Sequence, residues 1–237
     1  MKKYLAIALP LVVVTCTISA VFVFNTTNTM AQTLNANITN MMNNIESGAS
    51  SDLKTQLSSN PYDYAKNNVH FDKIVNIGPS VLPLIEDYIN KSSNSGLTEY
   101  LLAIAAEKIA KVDLKSDNAG DKYGWTTGKE FAEAFDKHLK KIPSSVDSIL
   151  SSGETQNGKI DDLEKLGIPA IPYVIDKFDL GNPEQQQVIA SVLYDLQKDS
   201  SLAKFESKNI DDVKSWISTN KAKFSDIKDY VDSKASN

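Results

Sequence analysis

The chain has 237 residues, with 25 lysines, no arginine, 30 acidic residues, two histidines and one cysteine, for a net charge of −5. Residues 1–31 hold two of the lysines and no acid, so the remainder carries 23 lysines against 30 acids, a net −7. That balance argues against nucleic acid, anionic lipid or a polyanionic polymer as a main partner, and the lack of cysteine beyond Cys16 means the remainder folds on an ordinary apolar core.

Lys2 and Lys3 precede an uncharged stretch from Tyr4 to Phe24, twenty-one residues dominated by Leu, Ile, Val, Ala and Phe. At about 1.5 Å per residue such a helix reaches roughly 31 Å, enough to cross a bilayer core. No further charge appears until Glu46, so the lysines are expected inside and the rest of the chain outside, an N-in, C-out orientation with the membrane as first partner. Three fates remain open for residues 1–31. They act as a retained signal anchor, as a signal peptide cleaved after Ala31 in Thr29-Met30-Ala31, or as a lipoprotein leader read at Val13-Val14-Thr15-Cys16. Cys16 otherwise reads as a small apolar residue in a membrane helix.

Residues 32–60 read as a polar spacer rich in Asn, Ser and Thr, in which Leu34, Ile38, Met41, Met42 and Ile45 keep helical spacing and allow a short amphipathic helix. Residues 61–237 form the expected all-helical domain. Apolar stripes run through Leu82, Ile85 and Ile89; Leu101, Leu102, Ala105 and Ile109; Phe131, Phe135, Leu139 and Ile142; and Val146, Ile149 and Leu150. Further on come Ile171, Val174, Ile175 and Phe178; Val188, Ile189, Val192, Leu193 and Leu196; Val213, Trp216 and Ile217; and Phe224, Ile227 and Val231. No segment sustains a period of two, so the class is all-α. Thr127 with Glu130, Asn182-Pro183 with Gln185, and Asn209 before Asp211 and Asp212 mark helix starts.

One unit occurs twice. Residues 71–85 lie over residues 160–174 at an offset of 89, with Asp72 on Asp161, Ile74 on Leu163, Gly78 on Gly167, Val81 on Ala170 and Pro83 on Pro172. With two residues dropped from the next turn, Leu101 to Ile109 match Val188 to Leu196. In each copy the glycine is expected to end one helix in a left-handed conformation, and the prolines to open the next. The stretches Ile77 to Ile85 and Leu166 to Val174 resemble the first helix of HEAT-like repeats, and Leu101 to Ile109 and Val188 to Leu196 the second. The resemblance covers residues 71–110 and 160–197 and implies a short α-solenoid-like array of helical hairpins behind the N-terminal membrane-signal helix. Helices at 127–151 would fill a place in the stack, and a helix from Lys221 to Lys234 would close its end. It further implies a protein or peptide partner bound along the second helices, whose polar sides carry Glu99 and Glu107 in the first copy and Gln186 and Tyr194 in the second.

Chemistry-bearing constellations are sparse. His70 and His138 stand alone, His138 among lysines where a solvated imidazole is expected, and neither belongs to an HExxH pair. The stretch Asp113 to Trp125 is rich in oxygen ligands, yet its acids fall out of register for a calcium loop. Tyr123 and Trp125 within it read either as a binding lip or as residues folded back over the core. SxxK spacings and Ser116-Asp117-Asn118 lack the KTG partner that a β-lactamase-like site requires. No metal, cofactor or catalytic residue is expected. The function expected is that of an extracytoplasmic, membrane-tethered binding or scaffold module. An enzyme whose residues meet only in the fold and a structural spacer in an envelope assembly are the alternatives.

Overall fold

A computed structural model describes residues 28–48, 58–115, 124–200, 202 and 205–236. The expected membrane span Tyr4 to Phe24, with Cys16, lies outside the described residues, as does Tyr123. The described residues form helices and turns with no strand, as expected for the all-α class. No helix among them is long and apolar enough to cross a membrane.

Helix α1 spans residues 28–46. Its described part therefore includes the last residues read as signal and covers part of those read as spacer, and it buries Leu34, Ile38 and Met41 in the common core. Asn68 ties it down, donating from Nδ2 to the Met41 carbonyl at 3.3 Å. Two short helices follow, α2 (Pro61–Ala65) and α3 (Val69–Val75), and then the pair α4 (Leu82–Lys91) and α5 (Leu97–Ala110). The long α6 (Gly128–Ser151) leads to α7 (Gln156–Lys165) and to a second pair, α8 (Ile171–Phe178) and α9 (Pro183–Gln197). The chain closes with α10 (Ile210–Asn220), a 3-10 turn at Lys221–Phe224 and α11 (Ser225–Ala235).

The caps predicted from sequence are formed. Thr127 Oγ1 accepts from the Glu130 amide at 3.2 Å while Glu130 Oε2 accepts from the Thr127 amide at 3.1 Å. Asn182 and Gln185 do the same at 2.9 and 3.1 Å. Each box satisfies two amide donors that the first turn leaves without a helical partner.

The two copies of the repeated unit take the same local path. Gly78 and Gly167 donate back to Val75 and Glu164, and each carbonyl then accepts from the third residue on, Val81 at 3.2 Å and Ala170 at 3.0 Å. The 3-10 turns Pro79–Val81 and Ile168–Ala170 result, and α4 and α8 start directly after them. Neither glycine is in the left-handed helical region expected for it. Gly78 has φ 88°, ψ −170° and Gly167 φ 73°, ψ −167°, a positive-φ extended conformation that is essentially confined to glycine. The extended ψ swings the chain out of one helix and straight into the next turn.

Three features depart from the sequence reading. The stripes at 131–142 and 146–150 belong to one continuous helix, α6, with Pro143 inside it. Proline forfeits the single bond to the Leu139 carbonyl, but Leu139, Ile142, Val146 and Leu150 continue one buried face across it, and packing outweighs the lost bond. Helix α6 touches α4, α5, α7 and α8. The last segment is a 3-10 turn followed by α11, which lies across α6, α8 and both proline turns instead of capping an end. Finally, α5 is enclosed by α2, α3, α4, α6 and the Ile168–Ala170 turn, so every residue from Leu101 to Ala106 is buried.

Candidate functional site

Enclosure of α5 decides what its polar residues do. Glu99, 4% exposed, accepts from the Gly96 amide at 2.8 Å and from Ser92 Oγ at 2.6 Å, closing the first turn of its own helix. Burial raises its pKa, but the Ser92 and backbone hydrogen bonds outweigh burial and hold it below the usual glutamate value. It is a cap and offers no solvated face. In the second copy Gln186 donates from Nε2 to the Phe178 carbonyl at 3.1 Å, while Tyr194 is 39% exposed and stands edge-on to Phe205, ring centres 5.9 Å apart.

Glu107 and Trp125 do come together. Trp125 is 1% exposed and folded back over the core, where its Nε1–H donates to Glu107 Oε1 at 2.8 Å. The same oxygen accepts from the Leu114 amide at 2.9 Å. Burial pushes the Glu107 carboxyl up despite those two hydrogen bonds, with Asp113 adding to the rise and Lys115 opposing it. A carboxyl raised in the folded state favours folding most below the ordinary glutamate value, ~4.3. That contribution is lost as pH rises through the folded value. Glu107→Gln keeps the acceptor oxygen without the charge, so unfolding free energy measured from about pH 4 upward should fall less steeply in the variant.

The corner is completed by Tyr100 of α5, Tyr62 of α2 and Lys115. The Lys115 ammonium lies 4.5 Å from the Trp125 ring centre, 4.8 Å from Tyr100 and 5.3 Å from Tyr62, and donates to the Tyr100 hydroxyl. Burial lowers its pKa, but Tyr100, Tyr62 and Glu107 outweigh burial and raise it, so the group stays charged. Three ring faces around one ammonium form a cation–π enclosure. Tyr62 is 41% exposed, and beside it a cleft of about 530 Å³ runs between α2 and α5, with Asp63 and Glu107 and the lysines Lys66, Lys108 and Lys111 on its walls. Sequence reasoning singled out Trp125 and Glu107 but missed Tyr62, Tyr100 and Lys115, because their meeting depends on where α2 crosses α5.

His138 is half-buried, not solvated. Its Nε2 is 3.1 Å from the Leu166 carbonyl, so that nitrogen carries the proton, and its ring stacks with Phe135. His70 Nδ1 pairs with Asn37 Oδ1 at 3.2 Å and helps dock α1. Among the described residues, one pair of carboxylates in direct contact perturbs a titration, Glu164 with Asp195. Burial, followed by Asp195, raises Glu164. Both are half-exposed, with Lys198 3.6 Å from Asp195. Among the described residues no group of three or more His, Cys, Asp or Glu is arranged to hold a metal ion.

Comparison with protein-family models, curated proteins and solved structures finds no match to this chain.

Proposed function

We propose that the protein is an extracytoplasmic, membrane-tethered helical-repeat module of HEAT-like hairpins that holds a protein or peptide partner. The apolar run Tyr4 to Phe24 behind two lysines supports the tether and its orientation. The twofold occurrence of the glycine turn and helix pair supports the repeat reading. The single observation that carries binding is the corner at Tyr62, Tyr100 and Trp125. Lys115 fills its ring enclosure, and exposed Tyr62 opens onto a cleft whose walls carry Lys66, Lys108 and Lys111 against Asp63 and Glu107, so a partner segment with a carboxylate beside an aromatic or apolar side chain presents the groups it accepts.

The test is photo-cross-linking from full-length chain in intact membranes, with the cross-linker placed at Tyr62 or, as a control, at exposed Lys73 on α3. A discrete adduct from position 62 that is absent from position 73 is expected, and Trp125→Phe, which removes the indole donor while keeping an apolar ring, should weaken it. No adduct, or the same adducts from both positions, would remove the corner as the binding site.

A further inference from the structure

The repeated unit makes two equivalent joints, and only one of them is sealed. In the sealed joint the end of α5 presses on the second glycine turn. A Cβ on Gly167 would lie 2.3 Å from the Ala110 carbonyl oxygen and 2.6 Å from Val112 Cγ1. Continuing the repeat register, Ala110 and Val112 correspond to Gln197 and Asp199 at the end of α9, and these face the first glycine turn. There the contact is missing among the described residues, since a Cβ on Gly78 would meet none of them within 4 Å. In its place is a cleft of about 440 Å³, walled by Gly78, Pro79 and Ser80 on one side and by Leu196, Gln197 and Asp199 on the other.

The lining divides into two zones. Val75, Ile109, Ile168, Leu196, Phe224 and Ile227 give an apolar interior. Lys108, Lys111 and Lys223 border it. Asp199 engages Lys111 at 3.1 Å, Lys223 donates to Asn220 at 2.8 Å and the Lys108 ammonium lies 5.2 Å from the Phe71 ring. Lys108 and Lys223 are exposed, so the border keeps a positive excess of two charges in an otherwise acidic chain. A helix with side chains is about 10–12 Å across, so a space of this size admits only about one helical turn. It is, however, within the range of small-molecule sites.

We propose that this open joint binds a medium-chain fatty acid, its alkyl chain in the apolar interior and its carboxylate at the lysine border. The alkyl chain takes the place that Ala110 and Val112 fill in the sealed joint. The carboxylate stays at the solvent edge, where it gains the Lys108 and Lys223 ammonium groups, which face no carboxylate among the described residues, without being stripped of water. The field of the acidic domain opposes any anion at long range, but within a Debye length, about 8 Å at physiological salt, the bordering lysines dominate.

The test uses full-length protein reconstituted in bilayers and a medium-chain fatty acid carrying a diazirine, irradiated and mapped by mass spectrometry. Labelling is expected on the peptides containing Val75 and Phe224 to Ile227. Replacing both exposed lysines (Lys108→Gln with Lys223→Gln) should reduce it about fivefold, the equivalent of ~1 kcal/mol. Label from the matching diazirine alcohol should be unchanged by that replacement. Ser80→Trp, which fills the mouth, should abolish both labels, and if it does not fold, the lysine pair alone decides. Label spread over the surface, label indifferent to the lysines, or label obtained only from a diazirine phospholipid of the bilayer would each overturn the proposal.

Discussion

Gly167→Ala lowers stability by about 2–6 kcal/mol, and Gly78→Ala by only about 1–3 kcal/mol. Both substitutions force an alanine into a positive-φ extended conformation, which costs about 1–3 kcal/mol. Only at Gly167 does the added methyl also meet backbone, the Ala110 carbonyl oxygen, which cannot move without shifting the end of α5. Overpacking of that kind adds about 1–3 kcal/mol. For a chain of this size each kcal/mol is worth roughly 2–4 °C, so thermal or denaturant unfolding separates the two variants readily. Equal costs would mean that the two joints are equally tight, and the open cleft beside Gly78 would lose its basis.

The second large effect lies at the clamp that holds α11. Glu86 of α4 is 5% exposed, and its carboxylate accepts from Lys234 Nζ at 2.8 Å at one oxygen, and from Lys234 at 2.7 Å and the Tyr230 hydroxyl at the other. Lys234 also reaches Asp136 of α6 at 3.1 Å. Lys234→Met leaves a buried carboxylate with only a phenol for company and should cost about 3 kcal/mol or more. Glu86→Gln combined with Lys234→Met removes both charges and should recover much of that loss, as a double-mutant cycle would read directly. Full additivity of the two changes would contradict the clamp.

The clamp also fixes two limbs of the pH profile. Burial raises Asp136, but the hydrogen bonds from Lys140 and Lys234 outweigh it and hold the carboxyl below its usual value. Its contribution is therefore complete above the ordinary aspartate value, ~3.9, and is lost as pH falls through the depressed one. Lys234 is the mirror case. Burial lowers it, but Glu86 and Asp136 outweigh burial and raise it. Its contribution is complete below the ordinary lysine value, ~10.4, and is lost as pH rises through the raised one.

Helix positions were legible because the stripes and caps are local. Thr127 with Glu130 and Asn182 with Gln185 are visible within four residues, and the glycine turns announced themselves by repetition. What α5 exposes was misread, although the signal was present. Leu101 to Ala106 is six consecutive small or apolar residues, a composition that marks a helix surrounded on all sides rather than one with a polar face. Glu99 followed from the same error, its carboxylate being spent on the turn at Gly96. The stripes at 131–142 and 146–150 stand apart in the sequence with Pro143 between them, and proline costs a helix one hydrogen bond, while the buried face continuing from Leu139 to Leu150 is a tertiary fact. Tyr62, Tyr100 and Lys115, like Glu86 with Tyr230 and Lys234, are brought together across long stretches of chain. Periodicity in one sequence carries no information about such pairs.

The claim on which the functional reading rests is that the helical domain lies outside the cell membrane. Leu180, in the turn between α8 and α9, is 80% exposed, and the chain's single natural cysteine, Cys16, is in the apolar N-terminal run. Full-length protein carrying Leu180→Cys, treated in intact cells with a membrane-impermeant maleimide and compared with the unsubstituted chain, is the direct measurement. The account predicts labelling at position 180 in intact cells, equal to that after lysis. Labelling that appears only after lysis would place the domain in the cytoplasm and contradict it.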